Sequence, residues 1–424
     1  MDRTIRSHIQ RVLQPLTSKG WAHWARMLAL LFAGIYAGHE LKDAPWLTDM
    51  KFVLYQKQMQ LLRPGHLYPR RTALVLLDDD DFYGSLFQQR NPINRAGLAR
   101  ILERLNAIGV GTVVLDFDLR SPKPQDPHFT FPLYQAENAT LLESLKKVCA
   151  EGRHLVLTSE LDDVPDGKYV VLPSIYTDAL PQLPCVTSGY LQLPVDMRTV
   201  PGPAQLSGGG YVDSLSLATV KVVDPIAYGD ATRKVDDTFR FGQFLSPSDY
   251  GARNGRQFIF SGGDLDRLDL GTLRSQLADK IVIVSGNWSL RNYGSGNLID
   301  MHPSPGGEMP GAMLHANYIE ALLDRTGTFN GITDIMAELL ESGLVIVLAV
   351  VGVLNIHGFW KWGAFATGMT VSLLLTYVLL QNLGLFLDFF IPLLMIAVHT
   401  LVEEFLAIRH ELHHARLKLR GHHE

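Results

Sequence analysis

Cysteine is scarce in this sequence, because the 424 residues contain only Cys149 and Cys185. Two cysteines form at most one disulfide bond, and neither lies in a Cys-x-x-Cys or other metal-ligand spacing. This excludes a framework of several disulfides and a cysteine-based metal centre. One disulfide in an extracytoplasmic domain and two ordinary buried thiols both fit the pattern.

The sequence also lacks an excess of positive charge. Its formal net charge is −5 and no basic patch is interleaved with aromatic residues, so we expect no nucleic-acid partner. The Gly-x-Ser-x-Gly, His-Glu-x-x-His, P-loop and Rossmann motifs are absent as well. The run 208–210 of three glycines lacks the Lys and the Ser or Thr of a phosphate loop, and it predicts a flexible turn. We therefore expect a protein that is not an enzyme.

Charged residues are missing from long stretches near the C-terminus, and Trp362–Leu387 contains no Asp, Glu, Lys, Arg or His. A helix needs roughly 20 mainly apolar residues to cross the hydrocarbon layer. Another apolar run, Met27–Gly38, predicts an attached membrane anchor, with a signal-peptide core as the alternative. The sequence predicts four transmembrane helices, at 21–40, 338–356, 361–381 and 384–406.

Lysine and arginine near the predicted spans indicate the orientation of the chain. The segments 1–20 and 407–424 are basic, and basic flanks stay preferentially in the cytoplasm. With four spans, both termini are predicted to be cytoplasmic and residues 41–335 to form an extracytoplasmic domain. We therefore expect a multi-pass membrane protein, in contact with lipid. The tail 407–424 is expected to be too short for a catalytic domain.

Alternating apolar strands and amphipathic helices predict an α/β fold. Strands are predicted at Thr72–Leu77, Gly111–Leu115 and His154–Leu157, with helices at Asn94–Ile108 and around Leu141–Val148. Fully apolar strands separated by helices are typical of a mainly parallel sheet with helices on its faces.

The middle of the predicted domain has a different pattern. Residues 162–272 are rich in Pro and Gly and predict a β-rich insertion with antiparallel pieces, interrupted too often for regular helices. Its strands are expected near Tyr169–Leu172, Tyr211–Val212 and Ala218–Val223. A strand at Ile281–Val284 and a helix at Gly311–Leu323 follow it.

Polar residues follow the predicted strands, where ligands of open parallel sheets bind. Carboxylates that converge there could bind a hard cation such as Ca²⁺ or Mg²⁺, although we expect no dedicated cofactor. The same acids could instead cap helices or pair with Arg95, and Asp80 and Asp81 are expected to be exposed. The candidate ligand-binding residues are Asp78, Asp79, Asp116, Ser285, Gly286, Asp300 and His315.

Four stretches give the sequence its resemblance to a known family. They are Leu74–Phe82 (LVLLDDDDF), Asn94–Pro122 (NRAGLARILERLNAIGVGTVVLDFDLRSP), Lys280–Gly286 (KIVIVSG) and Met309–Leu323 (MPGAMLHANYIEALL). Over about residues 45–406, the chain resembles the CHASE2 family of bacterial extracytoplasmic sensor domains. The middle third matches poorly. The resemblance implies a periplasmic input module that is coupled through membrane helices to a cytoplasmic output.

These observations predict a non-enzymatic CHASE2-like sensor or scaffold of the inner membrane. It is expected to act as a homo-oligomer with a separate membrane or envelope partner. Small residues in the predicted spans, among them Gly343, Gly352, Gly363 and Gly368, permit the close helix contacts of self-assembly. One alternative is a structural subunit of an envelope complex without a sensing role. Another is a periplasmic metal-dependent hydrolase that uses Asp78, Asp79, Asp116, Asp300 and His315.

Overall fold

A computed structural model gives the structure of the chain. It describes residues 68–331, with gaps at 91, 121–130, 165–166, 195–196, 198, 233–240, 243–244, 290–297, 305 and 325–327. It also describes the isolated positions 36, 366–367, 370–371, 374, 385–386 and 409. The chain divides into two compact units, Met1–Met59 with Gly331–Glu424, and Gln60–Asn330.

The described residues form β-strands, α-helices and short 3₁₀ helices. The strands are β1 (Thr72–Leu77), β2 (Thr112–Asp116), β3 (His154–Ser159), β4 (Leu161–Val164), β5 (Lys168–Val171), β6 (Val186–Tyr190), β7 (Ala204–Gln205), β8 (Tyr211–Val212), β9 (Phe241–Gly242), β10 (Ile259–Phe260), β11 (Ile281–Gly286), β12 (Met301–Ser304), β13 (Gly307–Pro310), β14 (Thr328–Gly331) and β15 (Leu385–Phe386). The α-helices are α1 (Asp79–Tyr83), α2 (Arg95–Ile108), α3 (Phe131–Ala150), α4 (Leu215–Val223), α5 (Pro225–Thr232), α6 (Gly262–Arg267), α7 (Leu270–Leu277) and α8 (Gly311–Leu323). Short 3₁₀ helices form at Thr177–Gln182 and Pro247–Tyr250.

Six strands form one parallel sheet in the order β10-β1-β11-β2-β3-β6. Every residue of β1, β2 and β11 is buried, which explains why these strands are almost continuously apolar. The predicted α/β fold with a mainly parallel sheet and flanking helices is therefore confirmed.

The sheet is covered on both faces. Alternate residues of the central strands, such as Val75, Leu115 and Val284, pack with α2, α3 and α7 in one apolar cluster. The residues between them face the opposite side, where α8 contacts β1, β11 and α4. Asp116 and Ser285 belong to this second set by their alternation along the strands. They therefore lie on the face that α8 covers.

Helix α2 shows why local sequence signals worked well in this part of the chain. The side chain of Asn94 accepts hydrogen bonds from the backbone N–H groups of Ala96 and Gly97 at the first turn. Gly109 ends the helix with φ +98°, a left-handed conformation that favours glycine. The predicted helix at 94–108 agrees with α2 to within a residue.

The prediction for residues 162–272 was partly wrong. The small antiparallel pairs β4–β5 and β7–β8 agree with it, but Ala218–Val223 lies in α4 rather than in a strand. Ser214 caps α4 through a hydrogen bond from Leu217 N–H, and packing against α8 overrides the β preference of its valines. The region also contains α5, α6 and α7, and its strands β6 and β10 form the two edges of the main sheet.

The predicted transmembrane helices fall almost wholly outside the described residues. None of the helices that the structure describes combines the length and the apolar character needed to cross a bilayer. The four spans therefore stay a prediction.

Candidate functional site

The centre of the candidate site is a hydrogen-bonded pair at the carboxyl ends of two neighbouring strands. Asp116 ends β2 and lies in register with Ser285 near the end of β11. The hydroxyl of Ser285 donates to Asp116 Oδ2 at 2.9 Å, and both side chains are buried. The adjacent parallel strands β2 and β11 bring the two residues together.

Burial makes the carboxyl group of Asp116 an unusually weak acid. Removal from water, together with the negative charges of Asp300 and Glu160, raises the pKa of Asp116 to about 7. The hydrogen bond from Ser285 acts in the opposite direction and lowers the pKa of Asp116. Among the described residues, no Lys, Arg or His forms an ion pair with this carboxyl group. Asp116 therefore changes charge near neutral pH.

The chain after β11 folds back, with Ile299 N–H donating to the carbonyl oxygen of Trp288, and brings Asp300 close enough to Asp116 for its charge to raise the pKa of Asp116. The backbone of Asp300 is left-handed, with φ +55°, and its carbonyl oxygen accepts the N–H of Gly311 at 2.9 Å. A Cβ atom at Gly311 would lie 2.2 Å from Asp300 Oδ2, so a side chain there would collide with the carboxylate. His302 Nε2 lies 2.7 Å from Asp300 Oδ1. Asp300 thus connects the strand-end site to the first residue of α8.

His315 lies on α8 and is only 1% exposed. Its Nδ1 atom lies 3.5 Å from the hydroxyl of Ser216 on α4, and its ring meets Tyr318 edge-on. Burial, with a smaller contribution from the charge of His302, lowers the pKa of His315 to about 4. His315 is therefore a neutral residue inside the α4–α8 layer.

Asp78 and Asp79 are engaged in bonds within the fold. Asp78 Oδ1 accepts the backbone N–H of Asp81 and caps α1, as the capping alternative predicted. Asp79 accepts hydrogen bonds from the N–H and the hydroxyl of Ser289 at 2.6 to 2.9 Å. Asp78 thus stabilises the first turn of α1, and Asp79 holds α1 against the loop that follows β11.

The space beside Gly286 is filled by side chains. A Cβ atom there would lie 2.4 Å from the ring of Trp288 and 2.8 Å from Ile299. The ring of Trp288 stacks on Phe82 of α1 with 4.1 Å between centroids. Glycine at this position lets the chain turn tightly under the indole ring.

Two expectations about charged residues near the site were wrong. Asp81 is 6% exposed rather than solvated, because its carboxylate accepts the N–H groups of Gly262 and Gly263. Arg95 is fully buried, but it does not pair with the acids that follow β1 and β2. Its guanidinium donates to Asn138 Oδ1 and to the carbonyl oxygen of Arg120.

Sequence reasoning missed Glu160, which directly follows β3 at the same edge of the sheet. Burial raises the pKa of Glu160, while Arg120 lowers it. The signal that led to Asp116, an acid at the end of a buried strand, applied to Glu160 as well. Its omission came from ending the predicted strand at Leu157, two residues early.

The side chains in the part of the chain that the structure describes do not form a metal centre. No three His, Cys, Asp or Glu side chains there converge in a way that could hold a metal ion. Of the seven candidate residues, Asp116, Ser285 and Asp300 form one cluster. Asp78, Asp79, Gly286 and His315 make the separate contacts given above. Ligand binding by these residues stays a prediction.

The fold and this edge define a class of protein: an α/β domain with a parallel sheet covered on both faces and with titratable groups at its strand ends. The family model described as CHASE2 domain matches residues 25–354, well over half of the chain. The chain belongs to the CHASE2 family, as the four sequence stretches indicated. Comparisons with curated proteins and with solved structures found no match.

Membership in this family gives the domain a general role. CHASE2 is an extracytoplasmic sensor domain, so the chain has a sensory function in signal transduction. A disulfide bond joins Cys149 at the end of α3 to Cys185 before β6. Of the two alternatives for the cysteines, one disulfide or two buried thiols, the structure therefore has the disulfide. Disulfides persist in oxidising compartments, and this bond agrees with an extracytoplasmic domain.

Proposed function

We propose that this chain is a non-enzymatic sensor or scaffold of the bacterial inner membrane. Its CHASE2 domain would lie in the periplasm, with both termini in the cytoplasm. The family match over residues 25–354 is the observation that carries the proposal. The uncharged runs of the sequence, such as Trp362–Leu387, support the membrane anchoring.

The sensing site of this proposal is the cluster of Asp116, Ser285 and Asp300. A buried carboxyl group with one hydroxyl donor and a second carboxylate beside it is an unfavourable arrangement, because both negative charges repel each other. A proton, or a bound cation or hydrogen-bond donor, would relieve that repulsion. The cluster is therefore suited to respond to a change in its surroundings.

We further propose that the signal passes through self-assembly and a separate partner protein. The CHASE2 resemblance implies coupling to an output module, and we assign that module to another polypeptide. Close contacts between glycine-containing membrane helices would support the homo-oligomer.

The test is a gentle native extraction of the tagged full-length protein from its source membrane. Size determination and mass spectrometry of co-purifying proteins follow. Recovery of a signalling enzyme in fixed stoichiometry supports the proposal. Recovery of a self-assembly bound only to other envelope proteins would instead support a structural subunit and contradict the sensor.

A pair of variants sharpens this experiment. Asp116→Asn removes the titratable carboxyl group with little change in shape, and Asp80→Asn alters an exposed acid outside the cluster. The proposal requires Asp116→Asn, but not Asp80→Asn, to change the amount or activity of the recovered partner. Turnover of a periplasmic substrate that disappears in folded Asp116→Asn protein would favour the hydrolase alternative.

A further inference from the structure

The side chain of Glu320 joins the end of α8 to the start of β1, across 248 positions of sequence. Glu320 Oε1 accepts the backbone N–H groups of Arg71 and Thr72, both at 2.7 Å, and the hydroxyl of Thr72 at 2.8 Å. Thr72 begins β1, where the chain enters the sheet, and Glu320 lies in the last turn of α8, where the chain leaves it. One oxygen atom thus holds both ends together.

Two further residues surround this contact. The Lys280 ammonium group donates to the carbonyl oxygen of Arg70, and the charge of Glu320 raises the pKa of Lys280 against the larger lowering caused by burial. Tyr250 is 1% exposed, and the nearby negative charge of Glu320 adds to the burial that raises its pKa. The carboxylate of Glu320 is therefore a charged group shared by several elements.

Helix α8 connects this contact, at the start of β1, to the cluster at the carboxyl ends of β2 and β11. Its first residue, Gly311, donates its N–H to the carbonyl oxygen of Asp300, whose carboxylate charge acts on Asp116. The helix then runs back along β1 and β11 to Glu320. Its 13 residues span about 20 Å as one α-helix. A shift of its first turn therefore moves Glu320 as well.

We propose that Glu320 is a clasp that holds the end of α8 to the start of β1, and that α8 transmits the state of the Asp116–Asp300 cluster to it. The inference rests on the proposed sensory function and adds the route of the signal. Three hydrogen bonds converge on one oxygen, so a small displacement of α8 weakens all of them together. Such a clasp has two distinct states, closed and open, which is what a transmission element requires.

The experiment is hydrogen exchange of the full-length protein, read by mass spectrometry on short peptides that cover residues 71–77. The amides of Arg71 and Thr72 exchange when the clasp opens, so their rate measures its state. Glu320→Ala is expected to speed their exchange about tenfold or more, because the acceptor is lost. Glu320→Gln keeps an acceptor oxygen and is expected to stay within a few-fold of the unmodified protein.

Two controls keep the result specific. Glu308→Ala removes an exposed carboxylate on β13 and is expected to leave the exchange of residues 71–77 unchanged. Thr72→Val removes only the hydroxyl donor and is expected to give an intermediate rate, which provides a reading if Glu320→Ala fails to fold. Unchanged exchange in both Glu320→Ala and Thr72→Val would overturn the clasp.

The relay along α8 has its own test with Asp116→Asn. Removing the buried charge relieves the repulsion from Asp300, so it is expected to slow exchange at Arg71 and Thr72 severalfold. The effect should vanish when Glu320→Ala is also present. Equal exchange with and without Asp116→Asn would overturn the relay. Recovery of a signalling partner from the same preparations tests the proposed sensory function separately. The exchange rates can therefore contradict the relay while partner recovery supports the sensory function, or the reverse.

Discussion

The carboxylate of Asp81 accepts the backbone N–H of Gly262 at 2.7 Å, across 181 positions of sequence. The adjacent N–H of Gly263 donates to the other carboxylate oxygen at 2.9 Å. Asp81 also closes the first turn of α1 by accepting the N–H of Asp78. One side chain therefore joins the helix after β1 to the helix after β10, on the carboxyl side of the sheet.

Replacement of Asp81 by Ala is expected to lower the free energy of unfolding by about 3 kcal/mol. The change leaves the N–H groups of Gly262 and Gly263 without their charged acceptor inside the fold. Chemical denaturation of the purified full-length protein measures the loss. Asp80→Ala alters an exposed neighbour in the same run of acids and is expected to cost less than about 0.5 kcal/mol. Equal losses in the two variants would contradict the structural role of Asp81.

The carboxyl group of Asp116 is expected to make the protein less stable as the pH rises. Its pKa is raised from 3.8 to about 7 in the folded state, so the folded protein holds a proton that the unfolded chain releases between these values. The contribution of Asp116 to the free energy of unfolding therefore falls from pH 4 to pH 7, by on the order of 4 kcal/mol, and is constant above that. Asp116→Asn should remove this slope.

Denaturation midpoints at pH 5, 6, 7 and 8 measure the Asp116 effect. The gain of Asp116→Asn over the unmodified protein should be largest at pH 8 and smallest at pH 5. A gain that is the same at all four values would show that Asp116 does not hold its proton in the folded state. Asp80→Asn serves as the control for the loss of one acid.

His315 is expected to act in the opposite direction at lower pH. Its pKa falls from 6.5 to about 4 on folding, so the unfolded chain binds a proton that the folded protein excludes. The contribution of His315 to the free energy of unfolding is therefore fully present above pH 6.5. It is lost as the pH falls towards 4, by on the order of 3 kcal/mol. His315→Gln should flatten the acid side of the stability profile. The same slope in His315→Gln and the unmodified protein would assign the acid loss to other groups.

The bond between Cys149 and Cys185 is expected to stabilise the domain by about 4 kcal/mol. It closes a loop with a sequence separation of 36 and thereby restricts the unfolded chain. Cys149→Ser/Cys185→Ser double substitution should lower the denaturation midpoint, and reductant should lower that of the unmodified protein to a similar value. Reductant should have no effect on the double variant. Mass mapping of peptides without reduction checks that the bond forms.

Local signals predicted the parts of the fold that are held by nearby residues. Asn94 caps the N-terminus of α2 and Gly109 ends the helix. Continuous apolar runs predicted β1, β2 and β11. The same reasoning failed at Ala218–Val223. Its β-branched residues fit either a strand or a buried helix, and only α8 decides between them.

The candidate site divides in the same way. The sequence predicted that Asp116 and Ser285 lie at the ends of strands in a parallel sheet. Their pairing depends on β2 lying next to β11, which only the order of strands in the structure shows. The proximity of Asp300 to Asp116 could not be predicted from the sequence, because it depends on how the loop after β11 folds back towards Gly311. The burial of Asp81 was equally hidden, since its partners lie 181 and 182 positions away.

The sequence by itself determined the parallel α/β sheet and the family, because strand and helix periodicities and the CHASE2 stretches are local patterns. Only the tertiary structure decided the charge behaviour of Asp116, the neutral state of His315 and the contact of Glu320 with Thr72. Each of these depends on exclusion of water and on groups brought together from distant parts of the chain. Desolvation and long-range hydrogen bonds arise from packing, which no local stretch of sequence encodes.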